Sequence, residues 1–281
     1  MPREITAPTP AVLTSKSADG KHIIQFNEAS HRYKLDNKAT TGVTTFIKAG
    51  YPTSMGLIQW MKGQSINYTV DWFLTRGNTQ DITEEDRKEL FKAAKAADQK
   101  PSQEAADIGT LVHDFAYLSE LGKTQEAETL QNQIIQLPLE SKTKILNGMN
   151  RFNDWKKETK DELVKSEELV ASPTYLFCGK FDRLARRNGR LILGDFKTSN
   201  SIYLEHFIQL AAYRIAIREW LGLEVEGLEV LRFGKEDGEF ETMLIDKPEE
   251  VKMFEDQAIR CKQTYDFRKL EQDPRWDWKK K

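Results

Sequence analysis

The segment 179-GKFDRLARRNGRLILGDFKTSN-200 constrains this chain more than any other. Asn-Gly between two alternating apolar runs favours a two-residue type I′ turn, because both turn residues must take positive φ. With Asn188 and Gly189 as the turn, Arg187 faces Arg190, Leu184 faces Leu193 and Asp182 faces Asp195. Directly opposed residues bring their Cβ atoms to ~4.5–5.5 Å, and like charges there are destabilising. Two facing aspartates on inner strands are a fault unless something positive lies between them. A divalent cation with oxygen ligands is the simplest such object.

Lys197 adds to the pattern. Strand side chains alternate, so Asp195 and Lys197 share a face while Phe196 points the other way into packing. An ammonium beside a metal-bound carboxylate can polarise a phosphate or orient an attacking water. Asp-x-Lys alone carries no weight: Asp19-Gly-Lys21, Asp86-Arg-Lys88, Asp98-Gln-Lys100 and Asp154-Trp-Lys156 occur in turns or on helix surfaces. Only Asp195-Phe-Lys197 ends an apolar strand and has an aspartate opposite. The competing reading is a surface salt bridge between Asp195 and Lys197 at a strand end.

Around the hairpin the chain reads as mixed α/β. Residues 22–47 predict short strands, HIIQF, HRYKL and GVTTFI, with a turn at Asp36-Asn37-Lys38. Helices are expected over 55–73, over 84–98 with Thr83 as N-cap, over 103–122 ending at Gly122, and over 140–160. Period-two alternation then predicts strands EELVAS, TYLFCGKFDRLA and RLILGDFKT. Residues 202–221 return to helix, LEVLRF and EFETMLI form a hairpin around Lys235-Glu236-Asp237-Gly238, and a last helix starts near Pro248. The expected division is a loose polar arm over 1–21, a strand and helical subdomain over 22–100, and a core over 101–281.

Composition narrows the function classes. No apolar run approaches the ~20 residues of a membrane helix, and the polar N-terminus has no signal-peptide core, so an intracellular, cytoplasmic location is expected. Only two cysteines, Cys178 and Cys261, are present; they read as apolar side chains and exclude a four-thiolate zinc site or iron–sulfur cluster. The net charge of −2 neither demands nor excludes nucleic acid, since a local basic groove can hide in a balanced total.

Three further segments complete a recognisable order with the hairpin: His31-Arg-Tyr33 with Gly42-Val-Thr44, Gly109-Thr-Leu-Val-His113, and Gln209-Leu-Ala-Ala-Tyr213. Together they resemble the PD-(D/E)xK nuclease superfamily, in particular its RecB-type branch, and are similar to phage and mitochondrial single-strand exonucleases. The resemblance implies a restriction-endonuclease-like α/β core with a central mixed sheet. It implies Mg2+, with Mn2+ as substitute, held by His113, Asp182, Asp195 and the Phe196 carbonyl. Lys197 would assist the attacking water, and Glu167 (with Glu168 as alternative) would be the upstream acid. The proline of the family name is absent, since Phe181 precedes Asp182.

Taken alone, a helical histidine such as His113 is a structural residue; Gly109 and His113, one helical turn apart, share a face and give it a setting over the sheet. Gln209 and Tyr213 are likewise i and i+4, with His206 one turn earlier. An amide among Ile208, Leu210, Ala211 and Ala212 needs partners, whereas Tyr213 reads equally as a core aromatic. Thr198 and Ser199 are expected to cap that helix and to touch phosphate, and Gln209 and Tyr213 to lie on the DNA. Trp60, Tyr68, Trp72 and Phe73 could stack on bases, with core packing as the plainer reading.

The function implied is metal-dependent hydrolysis of phosphodiesters from DNA ends, single-stranded by resemblance, in replication, recombination or repair of a phage or bacterium. A structure-specific endonuclease and a non-catalytic DNA-end binder are the alternatives. DNA is the expected partner, with a second copy of the chain, a single-strand-binding protein or a recombinase as further partners.

Overall fold

A computed structural model describes residues 12–52, 55–76, 82–97, 99–234, 238–272 and 275. The chain divides into two compact units, one of Met1–Tyr51 with His113–Lys281 and one of Pro52–Val112. This cuts the chain differently from the expected division, because the N-terminal strands join the core's sheet.

In the larger unit, β1 (Val12–Lys16), β2 (Ile23–Asn27), β3 (Arg32–Leu35) and β4 (Lys38–Gly42) form an antiparallel meander. The expected loose arm therefore contains a strand: Val12-Leu-Thr-Ser-Lys16 pairs with β2 over five rungs, and Trp220 Nε1 donates to Ser15 Oγ at 3.1 Å. GVTTFI is not a strand. It opens helix α1 (Val43–Gly50), which buries Val43, Phe46 and Ile47. Its β-branched residues suggest a strand, but its apolar residues fall at i, i+3 and i+4, and tertiary packing follows that spacing.

The smaller unit holds α2 (Met55–Arg76), α3 (Glu84–Lys95) and the first part of α4 (Gln99–Glu120). Thr83 caps α3 as expected, in a capping box with Asp86. Trp60 and Tyr68 are exposed on α2, while Trp72 packs edge-on against Phe73 under the Arg76 guanidinium.

The chain continues through α5 (Thr124–Ile135), α6 (Leu139–Thr159), β5 (Glu162–Ser172), β6 (Phe177–Arg187), β7 (Arg190–Lys197), α7 (Leu204–Leu221), β8 (Gly227–Phe233), β9 (Phe240–Ile245) and α8 (Pro248–Lys269). The expected turn at Lys235, Glu236 and Asp237 lies outside the described residues. Helix α5 has no counterpart among the expected elements; its buried Ala127, Leu130 and Ile134 are scattered among polar residues. The strands form one mixed sheet in the order β1-β2-β3-β4-β6-β7-β8-β9, with β5 on β6, in agreement with the α/β class.

One detail of this sheet positions the site. β5 occupies one whole edge of β6. The other edge is shared: β4 pairs there only at Phe177 and Cys178, and β7 only from Arg183 to Arg187. Residues 179–182 of β6 thus face an opening between two strands, and Asp182 stands at its margin.

Close helix approach fixes the far side of the unit. A Cβ on Gly50 would lie 2.4 Å from the Cys261 carbonyl oxygen and 2.5 Å from its Cα, so α1 and α8 touch backbone to backbone. Gly63 in α2 has open space around it. Gly50→Ala is therefore expected to cost about 1–3 kcal/mol in urea-induced unfolding, whereas Gly63→Ala is neutral or slightly stabilising. Equal effects of the two substitutions would refute the crossing.

Candidate active site

The hairpin register is the one the Asn-Gly turn dictates. Arg187 pairs with Arg190, Leu184 with Leu193 and Arg183 with Gly194, and Asn188 and Gly189 both take positive φ. One rung further, Asp182 stands across from Asp195, where the ladder opens. The Phe196 amide donates to Asp182 Oδ2 at 2.8 Å. In an extended strand the carbonyl of a residue leaves on the same edge as its amide, so the Phe196 carbonyl also faces the Asp182 side. His113, on α4, brings Nδ1 to 3.6 Å from Asp182 Oδ2 and sets its ring edge-on to Phe196. Lys197 pairs with Asp195 Oδ2. Gln209 bridges the two, donating from Nε2 to Asp195 Oδ1 at 3.2 Å and accepting from Lys197 Nζ at 3.3 Å.

Electrostatics follow from burial. Burial and the neighbouring Asp195 push the Asp182 carboxyl up to about 6, against the pull of His113, Lys197 and the Phe196 amide. Burial would discharge Lys197, but Asp195 and Asp182 outweigh it and hold its pKa above the ordinary value. Lys197 is thus an ammonium that donates and cannot serve as a base in this state. Burial, and then Lys197, lower His206 to about 4, so its ring is neutral at pH 7; its Nδ1 accepts from the Tyr203 amide at 3.2 Å.

A cation fits this chemistry. Asp195 Oδ2 is buried and, although it touches the Lys197 ammonium, has no hydrogen-bond partner of good geometry. Among the described residues no three His, Cys, Asp or Glu side chains cluster tightly enough to cage an ion. That sparse set suits an ion bound through one or two carboxylates with most of its shell as water.

Residues 87–276 match the model of the PD-(D/E)XK nuclease superfamily. The chain belongs to that superfamily. Partial structural likenesses accompany the match. A candidate exonuclease from Eubacterium rectale is 11% identical, with 57% of this chain and 68% of that chain covered at a TM-score of 0.38. The alkaline exonuclease of Laribacter hongkongensis is 13% identical, with 43% and 67% covered at 0.26; its complex with dAMP gives 12% identity, 62% and 98% covered and a TM-score of 0.31. No curated protein matches the chain. The assignment rests on the family match, and enzymes of this superfamily generally use divalent metal ions.

At this candidate site the structure brings together His113, Asp182, Asp195, Phe196, Lys197 and Gln209. The Glu167 carboxylate pairs with Lys180, two residues before Asp182 on β6, and Glu168 pairs with Lys165 at 2.7 Å. Glu167 also takes φ +53 in mid-strand, opposite Asp182, and the Asp182 carbonyl is bonded by the Ser166 hydroxyl at 2.8 Å. Thr198 and Ser199 do not cap the next helix, which begins at Leu204 after Tyr203. Ser199 Oγ donates to the Ser201 carbonyl and its own carbonyl accepts from Arg232, so the loop is tied to β8. Tyr213, expected on DNA, is buried. It packs over Gly179, where a Cβ would meet its ring at 2.4 Å, and it hydrogen-bonds to Gln209. Arg232 and His206 are contributors to which the sequence pattern assigns no role. His206 stands one turn before Gln209, and that spacing is the available signal.

The raised Asp182 pKa has a definite sign. Protonated, the side chain costs little; ionised beside Asp195, it destabilises the fold. The penalty is absent below the ordinary value of 3.8, grows as pH rises, and is complete above about 6. In EDTA at pH 8, Asp182→Asn is expected to be more stable than the native chain by about 1–3 kcal/mol, and the difference should shrink towards zero at pH 4. Denaturant unfolding at both pH values measures this; a pH-independent difference would contradict the assignment.

Proposed function

We propose that this chain is a Mg2+-dependent exodeoxyribonuclease that hydrolyses phosphodiester bonds from the free ends of single-stranded DNA. The observation that carries the reading is the cluster at the opening beside β6: Asp182, mostly covered, faces the buried Asp195, with a histidine on the first and a charged lysine on the second. His113, Asp182, Asp195 and the Phe196 carbonyl would hold Mg2+, with Mn2+ able to replace it. The bound ion supplies Lewis-acid polarisation of the phosphoryl oxygen and an acidified water.

The protein's own groups supply the rest. Asp195 holds Lys197 charged, and Gln209 fixes both partners, so the ammonium is preorganised where negative charge develops on the phosphoryl group. Tyr213 and His206 act from the protein side, packing Gln209 and the start of α7. Thr198 and Ser199, in the half-buried loop after Lys197, would contact phosphate. Glu167 acts through Lys180 in this reading. The working place is the cytoplasm, in DNA replication, recombination or repair of a phage or bacterium.

End-labelled single- and double-stranded oligonucleotides, and a covalently closed single-stranded circle, test the proposal with and without Mg2+. Release of mononucleotides or short products from linear single strands, abolished by EDTA, is expected, with the circle intact. Cleavage of the circle at the linear rate would replace the exonuclease with an endonuclease. Lys197→Ala is expected to lower kcat by about 10²–10³-fold with DNA binding retained; native turnover in that variant would remove Lys197 from the mechanism.

A further inference from the structure

Arg183 follows Asp182, so its side chain leaves the sheet on the other face. There it is buried completely, with 1% of its side chain exposed, beside Glu120 with 4%. Its Nε donates to Glu120 Oε2 at 3.1 Å and one terminal nitrogen to Asp161 Oδ2 at 2.7 Å. Arg187 donates to both oxygens of Asp161 and to both of Glu229. The Trp155 ring covers the two guanidinium groups at 5.1 and 5.3 Å. Burial alone would raise the Asp161 carboxyl, but Arg187 and Arg183 overcome it and hold its pKa below the ordinary value. Gly194 leaves the room: a Cβ there would lie 3.3 Å from Arg183 Cδ.

Such a network is an expensive way to stabilise a core, since each charge gives up its hydration. This one is also incomplete. Glu120 Oε1 and the second terminal nitrogen of Arg183, Nη1, are buried with no hydrogen-bond partner in the protein. An arginine and a carboxylate that could close a two-pronged fork instead make one bond, so the pair is not optimised for bonding.

Its connectivity points to a geometric role. Glu120 is seven residues after His113 on α4, two turns along the same stripe. Arg183 is next to Asp182 on β6. The same helix and the same strand therefore meet twice, at His113–Asp182 and at Glu120–Arg183. The end of α4 is further pinned to α6, where Ser119 Oγ bonds Asn153 at 2.9 Å and Lys156 donates to the Ser119 carbonyl.

We infer that the buried Glu120–Arg183 pair is a positioning device that sets the place of His113 beside Asp182 and so tunes the affinity of the site for a divalent ion. The inference rests on reading His113 and Asp182 as metal ligands. Residues that orient a ligand from behind are typically worth about 10–100-fold in metal affinity, and a residue acting through His113 has nothing to act on once His113 is gone.

Mn2+ binding to the full chain without DNA, followed by electron paramagnetic resonance, tests it, with melting temperature recorded alongside. Glu120→Gln is expected to weaken Mn2+ binding by about tenfold. The His113→Ala, Glu120→Gln double variant should bind no more weakly than His113→Ala alone, a non-additive cycle. Cleavage by Glu120→Gln should lose kcat with KM for DNA unchanged. If Glu120→Gln does not fold, Glu120→Asp keeps the charge, shortens the reach by one methylene and enters the same cycle. Native Mn2+ affinity in the Glu120 variant, or multiplied losses in the double variant, would overturn the positioning role alone. Native affinity in both His113→Ala and Asp182→Asn would bring down the ligand reading and the inference together.

Discussion

Two carboxylates facing each other across a hairpin repel each other, and the neighbourhood of Asp182 and Asp195 is organised around that repulsion. Lys197 neutralises one of them and stays charged by doing so. The Phe196 amide and His113 address the other. Gln209 holds the lysine and its aspartate at fixed separation. These partners leave Asp182 still reluctant to ionise. A fold that tolerates this residue of unfavourable charge has an electrostatic reason to accept a cation.

The sheet explains why the pair is reachable at all. An unbroken ladder along β6 would have given the Phe196 amide a backbone carbonyl in place of the Asp182 carboxylate. Because β4 and β7 share that edge and neither covers residues 179–182, the backbone there opens towards α4 and α7. The helices then supply the side chains that a strand could not: His113 from one, Gln209 and His206 from the other. Gly179 belongs to the same arrangement, since only a residue without Cβ lets the Tyr213 ring lie over β6 and reach Gln209.

What is legible in the sequence is local or periodic. Asn188-Gly189 fixes the register of its hairpin within a few residues, so the facing of Asp182 and Asp195 follows from the residue order alone. Thr83 and Asp86 cap α3 by contacts three residues apart. Where neighbours far along the chain decide, residue type misleads. Val12–Lys16 has little hydrophobicity and becomes a strand because β2 lies beside it. Val43–Ile47 looks extended by residue type and is helical because Phe46 and Ile47 pack into the core. Glu167 is an upstream acid by resemblance alone; the chain sets it level with Asp182 in a left-handed backbone conformation, with its carboxylate on Lys180.

The second face of β6 makes the same point about function. Nothing in Glu120, Asp161, Arg183, Arg187 or Glu229 marks them in sequence, since charged residues are common and usually solvated. Folding brings Glu120 to Arg183 across 63 positions and Glu229 to Arg187 across 42. Alternation along the strand then does the rest: Asp182 faces the opening, Arg183 faces the buried network, and a one-residue slip would exchange them. The strand therefore couples a reactive surface to an internal clasp through adjacent residues. Backbone rigidity makes that coupling tight, because a shift of Arg183 carries Asp182 with it, whereas a purely apolar underside would allow the helix that bears His113 to slide along the sheet at little cost.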